Sequence, residues 1–170
     1  MRTRMIGIGL SLLVTAAATQ NGHAAGDLNA DTAAAFARLK TLVGEWKTED
    51  AKESLTYELI AGGTALVERD GSAGRPTMLT LYHRDGNRLL LTHYCMAGNQ
   101  PRMQAKPFDA GANELAFEFL DATNLSGAAA GHMHSTTIRF VDASHIETEW
   151  QFYENGKATM TERARYARVH

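Results

Sequence analysis

Beyond residue 44, apolar residues recur at every second position in short runs, and turn-forming residues interrupt them at a spacing of about 8 to 12, the rhythm of an all-β sandwich or barrel. The runs are 46–49, 54–60, 65–70, 77–84, 88–96, 103–109, 114–120, 132–141, 145–154 and 158–169, which predicts ten strands. The breaks at Gly62-Gly63, Asp85-Gly86-Asn87, Gly111-Ala112-Asn113 and Asn155-Gly156 carry residues that tolerate the positive φ of tight hairpins. Consecutive hairpins with no helix between them predict an antiparallel meander and exclude a parallel sheet. A meander of this length removes its two open edges by closing on itself. The expected fold is therefore an all-β, up-and-down barrel of about ten strands, wide enough to leave a cavity. One short helix precedes it: Asp31 is a fitting N-cap, and Phe36, Leu39, Leu42 and Val43 recur at helical spacing before Gly44. Residues 121–131, rich in Ala and Gly, predict a long flexible loop over one end; the Asn124-Leu125-Ser126 triplet within it matches a glycosylation acceptor, a pattern of low specificity.

The first residues change the picture of where the chain goes. Arg2 and Arg4 precede an apolar and small-residue run over 5–18 and a polar segment ending Gly22-His23-Ala24, the three regions of a secretory signal. The run is 14 residues long, short of the roughly 20 that span a bilayer, so a stable membrane anchor is not expected. The expected organisation is a signal peptide over 1–24, a linker over 25–30 and one domain over 31–170, in the periplasm or outside the cell. Cleavage after Ala24 leaves 146 residues with 15 basic and 19 acidic side chains, a net charge of −4. That balance excludes the basic stripe that nucleic-acid binding needs. The lone Cys95 cannot form an internal disulfide, so it is a buried small hydrophobe, an intermolecular partner or a reactive thiol, of which burial is favoured.

The richest chemistry lies over residues 91–102, where a strand apolar on both faces turns polar towards its end with His93, Tyr94, Asn99 and Arg102. His132 and His134 flank Met133, and strand alternation puts both imidazoles on the face of Thr136, Ile138 and Phe140. Three readings follow. In the first, His93, Tyr94, Asn99, Arg102, His132 and His134 form the polar end of a cavity lined by Leu91, Phe117, Phe119, Ile138 and Trp150, suited to a small, partly apolar ligand such as an acidic amphiphile. In the second, His93, His132 and His134 hold a zinc ion with an open position for hydrolytic chemistry. In the third, the core is filled by its own side chains and the histidines only satisfy neighbouring strands. The first is favoured, which makes binding, rather than catalysis, the expected activity. The scattered methionines read as core, Glu147 and Glu149 as solvent-facing, and Asp70, Asp85 and Asp142 as turn residues. There is no Gly-x-Ser-x-Gly elbow, phosphate-binding glycine loop or dinucleotide fingerprint.

Gly44-Glu45-Trp46 directly after the helix and Arg168 in the last run resemble the lipocalin and fatty-acid-binding group of calycin barrels. The resemblance implies a Gly-x-Trp strand start whose indole packs beneath the barrel against an arginine of the final strand, roles that fall on Gly44, Trp46 and Arg168. It also makes haem a conceivable cofactor, because some calycin-like barrels are haem proteins and one histidine suffices to ligate the iron. The chain is similar, through Thr92 to Arg102 and Gly131-His132-Met133-His134, to uncharacterised secreted lipocalin-like proteins of bacteria. Ten strands depart from the eight of true lipocalins, which leaves the ligand class open.

Overall fold

A computed structural model describes residues 25–72, 75–108, 111 and 113–170; the expected signal peptide lies outside the described residues. One helix, α1 (Ala25–Lys40), is followed by β1 (Gly44–Lys47), β2 (Glu53–Ile60), β3 (Ala65–Ser72), β4 (Arg75–Asp85), β5 (Arg88–Tyr94), β6 (Gln100–Ala105), β7 (Glu114–Thr123), β8 (His132–Phe140), β9 (His145–Glu154) and β10 (Lys157–Arg168). Every strand pairs antiparallel with its sequence neighbour, and β10 returns to β1 to close the barrel. That closing seam is short, with only Trp46↔Arg168 and Lys47↔Ala167 in register. β9 and β10 meet at Asn155 and Gly156, both in left-handed backbone (φ 54° and 74°), the pair of conformations that a tight hairpin of matching twist requires.

The helix begins earlier than the sequence suggests. The expected linker over 25–30 is helical, and Asp31 lies within the helix instead of capping it. Thr32, Ala35, Phe36 and Leu39 are buried along one face. A helix held down by such a stripe extends outward at little cost where no proline stops it. The helix plugs one end of the barrel: the Thr32 hydroxyl donates to the Asn87 carbonyl in the β4–β5 turn at 2.8 Å, and the Arg38 guanidinium sits 4.3 Å over the Phe140 ring at the end of β8.

Trp46 and Arg168 fasten the same end. The buried indole donates to the Leu42 carbonyl at 2.7 Å, and the Arg168 guanidinium lies 4.2 Å from the Trp46 ring centroid. From there it donates to the carbonyls of Val43 at 2.7 Å and Thr41 at 2.6 Å, tying the last strand to the helix-to-strand turn. Gly44 sits inside this clasp at φ 125°, and a Cβ there would stand 3.2 Å from Arg168 Nη1.

Above the helix the barrel is packed solid. Tyr57, Leu66, Tyr82, Leu91, Phe117 and Ile138 are almost fully buried and pack in one cluster. Tyr82 meets Phe117 edge-on with centroids 5.7 Å apart, a favourable aromatic geometry. Leu91, Phe117 and Ile138, expected to line a cavity, instead fill it. Large side chains consume much of the width that ten strands create; one cavity lies between α1 and the barrel wall, lined by Thr32, Ala35 and Leu89, and another at the end away from the helix.

Candidate functional site

At that far end the inward positions stop being apolar. On β3 the alternation that buries Leu66 carries Glu68 and Asp70 to the same side, while Arg69 points outward to pair with Glu58 at 2.8 Å. Thr80 on β4 stands opposite Glu68, and His93 on β5 stands opposite Thr80. Glu162 on β10 faces Trp150 on β9, and Tyr166, four residues on, reaches across the seam to Glu53 at 3.4 Å. These strands enclose a cavity of about 20 Å³ whose walls include Glu68, His93, Met133, Trp150 and Tyr166, with Asp70, Met78 and the exposed Glu162 at its rim. That volume holds about one water-sized group. Asp70 therefore lies in a strand and not in a turn, which corrects the reading from sequence.

Burial sets the ionisation here. Glu68 is 5% exposed and accepts a hydrogen bond from the Tyr82 hydroxyl at 2.8 Å. Desolvation drives its carboxyl up to about 7, against the opposing pull of the hydroxyls of Tyr82, Tyr57 and Thr80. Tyr57 approaches Glu68 without completing a hydrogen bond, and its hydroxyl is buried and unpartnered. Asp70 is raised to about 6 by burial and then by Glu162 and Glu53; Glu162 is raised by burial and by Glu53. Among the described residues no salt bridge reaches Glu53, Glu68, Asp70 or Glu162.

His93 is 3% exposed, and burial lowers its pKa to about 4, so the ring is neutral near neutrality. Its Nδ1 lies 2.9 Å from Thr80 Oγ1, and the ring rests on Trp150 with centroids 4.7 Å apart. The tautomer with its ring proton on Nδ1 donates to Thr80 Oγ1 and leaves Nε2 as a lone-pair acceptor. That Nε2 is buried with no protein partner.

The other residues singled out from the sequence go elsewhere. Tyr94 is 49% exposed on the outer face. Arg102 is also exposed on the outer face and forms a two-pronged pair with Asp121, including Nε to Oδ1 at 2.6 Å. It is not available to anchor a ligand inside. Asn99 is buried but structural, its Nδ2 donating to the Gly131 carbonyl at 2.8 Å and so holding the base of the 124–131 loop.

His132 and His134 are close to each other but apart from His93. The β8–β9 register shifts between Met133 and Ser135, so the alternation that brings Thr136 and Ile138 inward passes to Met133 and not to the histidines. His132 Nδ1 bonds the Ala130 carbonyl at 2.8 Å and its Nε2 meets His134 Nδ1 at 3.0 Å. His134 stacks between Tyr153, at 3.9 Å, and Phe119, at 5.0 Å. The three-histidine zinc set is thus not assembled, and among the described residues no three of His, Cys, Asp and Glu are grouped to hold a metal ion. The cavity beside His93, at about 20 Å³, is too small for a haem.

The sequence reading missed Glu68, Asp70, Thr80 and Glu162. A signal existed: Glu68 and Asp70 share the parity of Leu66, while Val67 and Arg69 take the other face. Two acids on the face that a leucine marks as inward break the binary pattern of a strand, and such breaks concentrate at functional sites.

No protein-family model and no curated protein matches the chain. It is similar to the crystal structure of a protein of unknown function from the DUF3598 family of Nostoc punctiforme PCC 73102, with a TM-score of 0.51 and 14% identity. The match covers 77% of this chain and 49% of that one, so this chain spans about half the length of that protein. At this identity the likeness concerns the fold alone.

Proposed function

We propose that this chain is a binding barrel that takes a small, partly apolar molecule at the end away from the helix, the polar head of the ligand entering beside His93 and its body lying over Met78 at the rim. The observation that carries this reading is the buried, unpartnered Nε2 of His93 on the wall of a cavity whose rim is open to solvent. A self-filled structural core has little reason to keep an imidazole acceptor and three carboxylates on its inner face, since each costs desolvation that an apolar side chain would not. A few placed polar groups within an apolar wall is the common construction of small-molecule sites. Export to the periplasm or beyond belongs to the same proposal and is supported by the arginine-led apolar run over 5–18.

Native mass spectrometry of the untagged protein purified from its own host tests the reading. The expected result is an organic adduct that His93→Leu removes while circular dichroism stays unchanged. An adduct-free mass, together with no His93-dependent binding from a chemically diverse ligand panel, overturns it.

A further inference from the structure

We infer that the ligand class is a small organic amine, its ammonium held on the cavity wall that carries Asp70, Glu68, Glu162 and His93. This rests on the binding reading above and narrows it.

An acidic cluster alone says little, because exposed carboxylates are ordinarily solvated. Here a second and independent feature points the same way. His93 is 3% exposed, lines the cavity, and presents an acceptor nitrogen that nothing in the protein satisfies. In the proposed complex the ring proton sits on Nδ1 and is donated to Thr80 Oγ1, 2.9 Å away, which leaves Nε2 to accept from the ligand. The carboxylates are acceptors as well. Every charged or imidazole group on this wall therefore asks for a hydrogen-bond donor, and an ammonium offers three.

Charge and size agree. Around the cavity stand Glu68 and Asp70 from β3, Glu53 from β2 and Glu162 from β10, with Tyr57, Tyr82 and Tyr166 between them and no salt-bridged cation among the described residues. An acidic amphiphile would meet repulsion there, which reverses the ligand charge expected from Arg102. The space of about 20 Å³ fits a group the size of water or ammonium and excludes a bulkier cationic head such as a quaternary ammonium. A metal ion is a poorer fit, since among the described residues no three of His, Cys, Asp and Glu are grouped to hold one; an ammonium needs no more acceptors than its three N–H bonds, at the longer distances of hydrogen bonds. Trp150 and Met133 supply a polarizable wall beside the ammonium, and Met78 at the rim packs against the first methylenes of an alkylamine.

The probe is n-butylamine, with n-butanol and butyrate as neutral and anionic counterparts of the same length. Protein labelled at the methionine methyls with carbon-13 reports by NMR, because Met78 and Met133 line the cavity while Met96 and Met160 are exposed and serve as internal controls. Butylamine is expected to shift Met78 and Met133 alone in a saturable way, with n-butanol at least about tenfold weaker and butyrate silent. Affinity for the amine should rise about tenfold or more from pH 5 to pH 8 as Asp70 and Glu68 lose their protons. Asp70→Asn and Glu162→Gln should each weaken it by about tenfold while leaving the unliganded spectrum in place.

Butyrate or butanol shifting the same methyls, in a His93-dependent manner and more tightly than the amine, overturns the amine assignment and leaves the binding barrel standing. Amine shifts that spread to Met96 and Met160, or that survive both carboxylate substitutions, overturn the site. No shift from any of the three at about 10 mM, combined with an adduct-free native mass, removes both readings together.

Discussion

Replacing Glu68 by glutamine should make the barrel more stable, and by an amount that depends on pH. The side chain is nearly isosteric, keeps an oxygen for the Tyr82 hydroxyl and loses the ionisation that burial opposes. The folded carboxyl titrates at about 7 against an ordinary 4.5. At about 1.4 kcal/mol per unit, that shift corresponds to about 3 kcal/mol. The sign follows from which state holds the proton. Between those two values the folded protein keeps a proton that the unfolded chain has released, so wild-type stability falls as pH rises through the window. Below it the group contributes nothing, and above it the full penalty is present. The groups acting on Glu68 are Tyr57, Tyr82 and Thr80 from the neighbouring strands and Asp70 from its own, and of these only Asp70 adds like charge. Urea unfolding of wild type and Glu68→Gln at pH 5 and pH 8 isolates the effect, since packing differences cancel between the two conditions. The gain should be small at pH 5 and approach about 3 kcal/mol at pH 8. A difference that is the same at both values, or that favours wild type more at pH 8, would refute the buried ionisation of Glu68. The stabilised variant should also bind butylamine less well, the exchange of stability for function that a strained site predicts.

Other outcomes follow from the same structure. Trp46→Ala removes a fully buried indole and its bond to Leu42, and a urea titration should register a loss of about 3 to 5 kcal/mol; a loss below about 1 would contradict its place in the clasp. Gly44→Ala forces a side chain into φ 125° and against Arg168, and thermal or urea unfolding should show about 1 to 3 kcal/mol of destabilisation, none being expected if the turn can relax. Arg102→Ala, by contrast, breaks a solvent-exposed pair on the outer wall, so it should leave both the urea midpoint and the amine titration unchanged; a loss of ligand affinity would place that guanidinium at the site after all.

The strands were legible because each hairpin carries its own turn chemistry and each run its own alternation. The site was less so, for two local reasons. On β8 the extra residue near His134 displaces the alternation by one, and no property of the His-Met-His triplet announces that shift. On β3 the misreading was of Asp70, which stands just before Gly71 and so resembles a turn residue, although the same parity that buries Leu66 carries it inward. Arg102 shows the opposite limit: the sequence gives its charge but not Asp121, nineteen positions on, which takes it up. The Gly44, Trp46 and Arg168 clasp could be anticipated because its parts lie at fixed places relative to the helix and the final strand.

The seam between β1 and β10 has a consequence for how the chain reaches this shape. Nine of the ten strand junctions are formed between sequence neighbours and can assemble progressively, while the tenth joins positions some 120 residues apart through two register pairs. Joining such distant segments demands a large loop-closure entropy for little immediate return, which makes ring closure a late event in folding. Until it occurs, β1 and β10 each present an open edge able to pair with a second molecule. Arg168 answers that hazard by engaging two carbonyls and an aromatic face in one step, so the event that completes the ring also removes the route to intermolecular sheets.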